Sequence, residues 1–288
     1  MTDSLRTIAV VGTGTMGLGI AQICATAGFK TLLFDSKPGQ VSAALHTIER
    51  QLSQLVEKNK LTDEQKTEIL SCIRGLDQLS EVKADIVIEA AVEKLDVKQQ
   101  LFVALEEING ADTILSTNTS SLSVTEIAAV LRDPTRFIGL HFFNPADRMK
   151  LVEIISGTAT DPRCVKAIQE FSVRIGKTAV LAKDSPGFIV NRVARHFYVE
   201  SLKLLEESTA DVATIDALLR SAGFRMGPFE LMDLIGVDTN LAVTTSVYEG
   251  FKNAAKFKPS PIQQGLVASG HFGRKTGAGF YDYSKQKE

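Results

Sequence analysis

Cysteine is scarce in this chain and poorly spaced for any covalent or metal role. Its three residues, Cys24, Cys72 and Cys164, lie far apart, are odd in number and form no C-x-x-C pair, so neither a disulfide framework nor a zinc site is expected. A reducing setting, the cytoplasm, fits that usage. Excess charge of one sign is lacking as well: 32 Lys and Arg stand against 34 Asp and Glu, a formal net charge of -2. Without a global positive field the chain is not expected to coat nucleic acid, and any phosphate contact has to be local. An unbroken apolar run of membrane-spanning length is also absent. The stretch from Ile8 to Phe29 carries Gly12, Gly14, Gly17, Gly19 and Gly28, and reads as strand, loop and helix. That first strand-like run starts too early to leave room for a secretion signal. No repeat and no low-complexity tract is visible.

What is present is enough apolar sequence, 44% of 288 residues, to bury a large domain and a smaller one. Ile8 to Val11 has strand length and is followed by Gly12-Thr13-Gly14-Thr15-Met16-Gly17 and a helical segment from Gly19 to Ala25. This is G-x-G-x-x-G between a strand and a helix, the context a dinucleotide pyrophosphate requires. Gly12 permits the turn, Gly14 lets the backbone approach the phosphates, and Gly17 lets the helix lie close to the strand. The helix start offers N–H groups and a positive dipole end. A second strand, Thr31 to Phe34, ends in Asp35, where a carboxylate accepts ribose hydroxyls and repels a 2′-phosphate, so NAD is expected over NADP. Lys37 works against that preference.

From Pro38 to Arg74 the pattern is helical and charged, with apolar Val41, Ala44, Leu45, Ile48, Leu52 and Leu55 on one face. A capped restart at Leu61-Thr62-Asp63-Glu64-Gln65 makes it a helical hairpin inserted between the second and third strands. Lys58 and Lys60 at its turn are solvated lysines or a small basic grip on a phosphorylated carrier. Asp85 to Ala91 reads as the next buried strand, with Glu93 and Lys98 beyond its end as cleft candidates or simply members of the helix from Leu95 to Ile108. Thr113 to Ser116 is another strand. It leads into Thr117-Asn118-Thr119-Ser120-Ser121, where Ser121 or Ser123 caps a helix from Val124 to Leu131 and the remaining polar groups are available to a cofactor or a substrate oxygen.

The apolar runs through His141 and through Leu151 to Ile155 flank a turn containing Pro145. If both are strands the chain doubles back, and Glu153 returns beside His141. A carboxylate there fixes the imidazole tautomer and steadies the imidazolium while the other ring nitrogen exchanges a proton with a substrate. Beyond Lys183, Asp184-Ser185-Pro186-Gly187 reads as a helix start, and the apolar positions from Ile189 to Leu205 predict a largely buried helix. Asn191, in its first turns, bonds local backbone or points into a cleft. The segments Asp211 to Ser221, Pro228 to Ile235, Asp238 to Phe251 and Ile262 to Ser269 are helical, and a small all-α domain with such apolar helices is expected to pair in a homodimer. The expected domains are 1–185 and 186–288.

In this order, the glycine turn, Asp35, Glu93, Asn118-Thr119-Ser120-Ser121, His141-Phe142-Phe143-Asn144-Pro145, Glu153, Lys183 to Arg192, Gly227-Pro228-Phe229-Glu230-Leu231 and Lys275 to Tyr281 resemble the L-3-hydroxyacyl-CoA dehydrogenase family across nearly the whole chain. The length is similar to that of its bacterial 3-hydroxybutyryl-CoA branch. The resemblance implies an α/β Rossmann-type N-terminal domain with the helical hairpin and an all-α C-terminal domain for substrate and dimerisation. It implies an enzyme of fatty acid or butanoate metabolism, reversibly oxidising an L-3-hydroxyacyl-CoA with NAD and using no metal. His141 matches the base, Glu153 its acid, and Ser120 and Asn191 the groups that hold the reacting oxygen. Gly12, Gly14, Thr15, Met16, Gly17, Asp35, Glu93, Lys98 and Asn118 fall in the cofactor site, and Lys58 meets CoA phosphates. The chain departs from the family at Ala146-Asp147-Arg148, where an apolar run is usual, at Thr117 for a usual serine, and at Gln51. The charged pair leaves the acyl-chain preference open. A dehydrogenase of a non-thioester hydroxyacid or sugar acid would have no use for Lys58, and a non-catalytic dinucleotide binder none for the His141 and Glu153 pair.

Overall fold

The computed structural model describes residues 5–284, which fall into two compact units, one running to Asp184 and the other starting at Ser185. The first unit alternates strands and helices as β1 (Thr7–Val11), α1 (Thr15–Thr26), β2 (Lys30–Phe34), α2 (Gln40–Glu57), α3 (Asp63–Ser71), β3 (Ile73–Gly75), β4 (Ile86–Glu89), α4 (Leu95–Ile108), β5 (Ile114–Thr117), α5 (Val124–Ala128), β6 (Phe137–Phe142), β7 (Leu151–Ser156), α6 (Pro162–Arg174) and β8 (Thr178–Lys183). Among the described residues these strands form one eight-stranded sheet in the order β3-β2-β1-β4-β5-β6-β7-β8. From β3 to β6 all neighbours are parallel, β6 and β7 are antiparallel, and β8 runs parallel to β7. The central strands are continuous apolar runs because helices cover both faces of a parallel sheet. Ile8, Val10, Leu33, Ile86 and Ile88 are accordingly almost fully buried. Strand order reverses beside β1, with β2 on one side and β4 on the other, which places the glycine turn at the switch point where such sheets bind ligands.

Several local expectations change. The hairpin exists as α2 and α3, and Thr62 with Gln65 forms a capping box at the restart. Its helix stops at Ser71, however, and Ile73 to Gly75 form a short edge strand, because Ile73 finds an open ladder beside Thr31 of β2. The hairpin therefore leads into β3, and the strand expected third is fourth. Of the two candidate caps Ser123 is the one used, accepting from the Glu126 N–H at 3.2 Å, and α5 ends at Ala128 rather than Leu131. Helix α6 and strand β8 carry signals that the sequence reading did not separate from their surroundings.

The second unit is helical: α7 (Val190–Glu206), α8 (Val212–Ser221), α9 (Pro228–Ile235), α10 (Val237–Gly250) and α11 (Pro261–Ala268). No helix starts at Asp184, since Gly187 and Phe188 take positive φ values of 71° and 47°, which break a helical path. Asp184 instead serves α5, its Oδ2 accepting from the Ser123 hydroxyl and the Thr125 N–H at 2.7 Å each. Nor is α7 largely buried. Its inward stripe is Arg195, Tyr198, Ser201 and Leu202, whereas Ile189, just before it, and Val193 are 40% and 68% exposed. Tyr198, Leu202, Ile215, Phe229 and Met232 make the core of this unit, and each large apolar side chain removed from water contributes roughly 1.5–3 kcal/mol. Arg195 is buried among them, donating to the Asn240 carbonyl at 3.0 Å and the Thr244 hydroxyl at 2.9 Å. Burial lowers its pKa to about 10. The Lys275 to Tyr281 segment is stapled by two buried aspartates. Asp233 accepts from the N–H groups of Phe280 and Tyr281 at 2.9 Å, and Asp216 accepts from the Tyr281 hydroxyl at 2.7 Å and from the first turn of α9.

Candidate active site

The carboxyl ends of β1, β4, β5 and β6 bring most of the candidate residues of the first unit to one side of the sheet. Gly12 has φ +103°, and a Cβ there would lie 2.5 Å from the Ala90 carbonyl oxygen; at Gly17 it would lie 1.8 Å from the Gly12 oxygen. Both glycines are thus required by packing between β1, α1 and the chain after β4. Gly14 differs, because nothing lies within 4 Å of a Cβ placed there. It is exposed and forms the N-cap of α1 with no side chain capping the helix, so a smooth surface and the first N–H groups, from Thr15 and Met16 onward, face outward together. That is a cradle for an anion.

Asp35 lies across the turn, held by a partner that spacing alone did not single out. Thr13 donates its N–H and its hydroxyl to Asp35 Oδ2, both at 2.8 Å, while the Lys37 N–H donates to Oδ1 at 2.9 Å. Partial burial works against ionisation, but these bonds and the Lys37 charge outweigh it and hold the carboxyl below the usual carboxylate range.

At the end of β4, Glu89 is fully buried, although its strand otherwise reads as apolar. Its Oε1 accepts from Lys98 Nζ at 2.5 Å and from the Ala91 N–H at 2.7 Å, and its Oε2 from the Thr117 hydroxyl at 2.6 Å. Lys98 is therefore enclosed, its ammonium turned toward carboxylates. It is 1% exposed and sits between two carboxylates, with Glu93 Oε2 at 3.3 Å on the far side. Glu93 in turn collects donors through Oε1: the Thr119 hydroxyl at 2.6 Å, the Ser120 N–H at 2.9 Å, the Ser121 N–H at 3.2 Å and the hydroxyls of Ser121 and Ser120 at 3.3 and 3.4 Å. Desolvation opposes its ionisation, and Lys98 with these donors more than offsets it, lowering its pKa. Asn118 ties this segment to its neighbours, its N–H donating to the Glu89 carbonyl at 2.7 Å and its Oδ1 accepting from the Phe142 N–H at 2.8 Å.

His141 is the fifth residue of β6 and stands opposite Glu153 in the antiparallel register of β6 and β7. Its Nδ1 lies 2.8 Å from Glu153 Oε2, with the two residues 5% and 1% exposed. The doubling back predicted around Pro145 brings this pair together. The Phe143 ring packs on the imidazole, centroids 4.5 Å apart. The turn between the two strands is fixed from below, where Lys177 Nζ donates to the carbonyls of Ala146 at 2.5 Å and Met149 at 2.7 Å. Ala146 packs against Gly19 of α1. Asp147 and Arg148 point outward, Arg148 Nε 3.8 Å from Asp147 Oδ2 and the Arg148 side chain 82% exposed.

Two further candidates stand on other elements. Lys58 is exposed at the end of α2. Asn191 belongs to the second unit, in the first turn of α7, where its carbonyl accepts from Arg195 Nε at 3.2 Å. The residues the sequence reading passed over are Thr13, hidden in a variable position of the glycine motif, Glu89 and Lys177. A carboxylate in the middle of a buried apolar run was the available signal for Glu89, since such a group is rarely enclosed without a partner.

Comparison with known proteins matches residues 7–185 to the model of the 3-hydroxyacyl-CoA dehydrogenase NAD binding domain and residues 187–283 to that of the 3-hydroxyacyl-CoA dehydrogenase C-terminal domain. The chain is 46% identical over 296 aligned positions to the 3-hydroxyadipyl-CoA dehydrogenase of Escherichia coli, covering all of this chain and 61% of that protein. It therefore spans less than two thirds of that relative. A crystal structure of 3-hydroxybutyryl-CoA dehydrogenase from Escherichia coli K12 superposes with a TM-score of 0.95 at 46% identity over 99% of this chain and 61% of that one. The (S)-3-hydroxybutyryl-CoA dehydrogenase of Ralstonia eutropha superposes with a TM-score of 0.94 at 40% identity, covering 98% of this chain and 100% of the other.

Proposed function

The chain belongs to the 3-hydroxyacyl-CoA dehydrogenase family, and on that premise we propose that it catalyses the reversible oxidation of an L-3-hydroxyacyl-CoA, 3-hydroxybutyryl-CoA foremost, to the 3-ketoacyl-CoA with NAD. The observation that carries this reading is the buried 2.8 Å contact of His141 Nδ1 with Glu153 at the same end of the sheet as the glycine turn. Glu153 holds the proton on Nδ1, so His141 takes the hydroxyl proton through its other nitrogen. Ser120 and Asn191 bond the reacting oxygen, and Lys58 meets a phosphate of CoA.

The first unit suits a dinucleotide: the open surface over Gly14 admits a pyrophosphate, the α1 N-terminus faces it, and Asp35 is held ionised for ribose hydroxyls. Thr15, Met16, Glu93, Lys98 and Asn118 complete the residues assigned to it. NAD, when bound, supplies the acceptor for the hydride leaving C3. We divide the roles at 185: residues 1–185 for the cofactor, residues 186–288 for substrate and for a homodimer. Exposed Leu218, Phe224, Leu234 and Ile235 support the pairing, and sedimentation at micromolar concentration tests it. The cysteines support a reducing, cytoplasmic setting and the activity a place in fatty acid β-oxidation or butanoate metabolism.

The test is a steady-state panel of 3-ketoacyl-CoA thioesters with NADH and NADPH, with free acetoacetate as the control. It includes 3-ketoadipyl-CoA, because the Escherichia coli relative is named for a hydroxyadipyl thioester and Arg148 is exposed beside the His141 strand. Turnover of acetoacetyl-CoA with NADH and none of free acetoacetate is the expected result. Equal rates with the free acid overturn the thioester assignment.

A further inference from the structure

We propose that Glu89 is a positioning residue for this site: through Lys98 it fixes the Glu93 carboxylate against the segment Thr119 to Ser121, and so sets where Ser120 stands. The inference rests on the active-site reading above, in which Ser120 meets the reacting oxygen and Glu93 the cofactor.

The argument begins from an excess of charge where there is no water. Glu89 and Lys98 are 0% and 1% exposed, and a buried ion pair is a costly way to hold a fold together, since well-packed apolar residues of similar volume are usually as stable. What the pair does here is directional. Lys98 projects from the first turn of α4 and has carboxylates on two sides, at 2.5 Å to Glu89 and 3.3 Å to Glu93. The shorter contact anchors it to the end of β4, because Glu89 is itself immobilised by the Ala91 N–H and the Thr117 hydroxyl. An anchored ammonium then presents one fixed charge to Glu93 Oε2. With that oxygen held, Oε1 faces the five donors of residues 119 to 121, Ser120 N–H and hydroxyl among them. The chain Thr117, Glu89, Lys98, Glu93, Ser120 thus links the ends of β4 and β5 by charge-assisted bonds, which are shorter and stronger than neutral ones.

Without the Glu89 charge, Lys98 retains a single carboxylate partner and is free to move toward it. Glu93 then turns to meet the ammonium and loosens its hold on Ser120. A structural pair would affect only the folded fraction; a positioning pair affects the folded enzyme at a temperature where it is fully native.

The experiment compares wild type, Glu89→Gln and Glu89→Asp at 25 °C after circular dichroism shows each to be folded. For Glu89→Gln the expected outcome is a fall in kcat of about ten-fold and weaker NADH binding, read by the fluorescence of NADH itself, with KM for acetoacetyl-CoA within about two-fold. Glu89→Asp keeps the charge and recovers most of kcat. If Glu89→Gln does not fold, Thr117→Val removes one donor to Glu89 and is expected to lower kcat by about two- to three-fold and weaken NADH in the same direction. A folded Glu89→Gln enzyme with wild-type kcat and NADH affinity overturns the proposal, as does Glu89→Asp no better than Glu89→Gln. His141→Gln is measured alongside. If it too keeps full turnover, the active-site reading itself has failed; if it collapses while Glu89→Gln is normal, only the role of Glu89 has.

Discussion

Thr13 gives both its backbone N–H and its hydroxyl to a single oxygen of Asp35, each at 2.8 Å. The acidic residue just after β2 is thereby locked to the glycine turn, so in the proposed reading one piece of the fold presents both the phosphate cradle and the ribose acceptor. Asp35→Ser removes the repulsion against a 2′-phosphate and the acceptor for the ribose. The ratio of kcat/KM for NADPH to that for NADH should rise by about 10–100-fold, the worth of one charged hydrogen bond. The pKa of Asp35 is lowered in the folded protein, so its stabilising contribution is present above the unfolded value and lost only as pH falls through the lower folded value. Asp35 should therefore stay ionised between pH 7 and 5, and binding of NAD, which has no 2′-phosphate to titrate, should not weaken through this group across that range, which calorimetric titration with NAD would check.

Two glycines of the same turn should behave oppositely. Gly17→Ala places a methyl group 1.8 Å from the Gly12 oxygen, and should lower the thermal midpoint by several degrees or prevent folding. Gly14→Ala meets nothing within 4 Å, so its midpoint should match wild type while its KM for NADH rises. Calorimetry and steady-state kinetics on the pair separate packing from phosphate approach. A Gly14→Ala enzyme with normal KM would place the pyrophosphate elsewhere.

His141→Gln should lose about 10²–10⁴-fold in kcat, the usual yield of general base catalysis, with NADH affinity nearly unchanged. Glu153→Gln keeps an acceptor for Nδ1 but not the charge that steadies the imidazolium, and should fall between that variant and wild type. Full turnover by His141→Gln would remove the base from this account.

The buried thiols should be inert. Burial pushes Cys24 well above the ordinary thiol range and Cys164 up to about 12, and only the thiolate is nucleophilic. Iodoacetamide at pH 8 should leave both unlabelled in the native protein and modify all three cysteines once the chain is unfolded. Peptide mass analysis reports the sites, and native labelling of Cys24 would contradict its placement inside α1.

Much of the first unit could be read from local signals. Apolar runs of strand length, glycines at fixed intervals and an acid after β2 are short-range features that steric rules translate directly into strand, turn and helix. The return of Glu153 to His141 was also legible, because an antiparallel pair joined by a short turn puts residues at matching distances from the turn opposite each other. Elements that depend on a distant neighbour were not. Ile73 to Gly75 continue a helical composition and become a strand only because β2 offers an open edge. Asp184 resembles a helix start and caps a different helix, the one that begins after Ser123.

The amino-acid sequence by itself determined which residue types stand at the carboxyl ends of the strands, since pattern, turn chemistry and helix starts are written over a few positions. Only the tertiary structure decided their partners. Whether Lys98 faces a ligand or a carboxylate, whether an apolar stripe on α7 points inward, and which oxygen Thr13 grips depend on segments far apart in the chain. Burial and charge pairing act through space, and carry no mark in the local sequence.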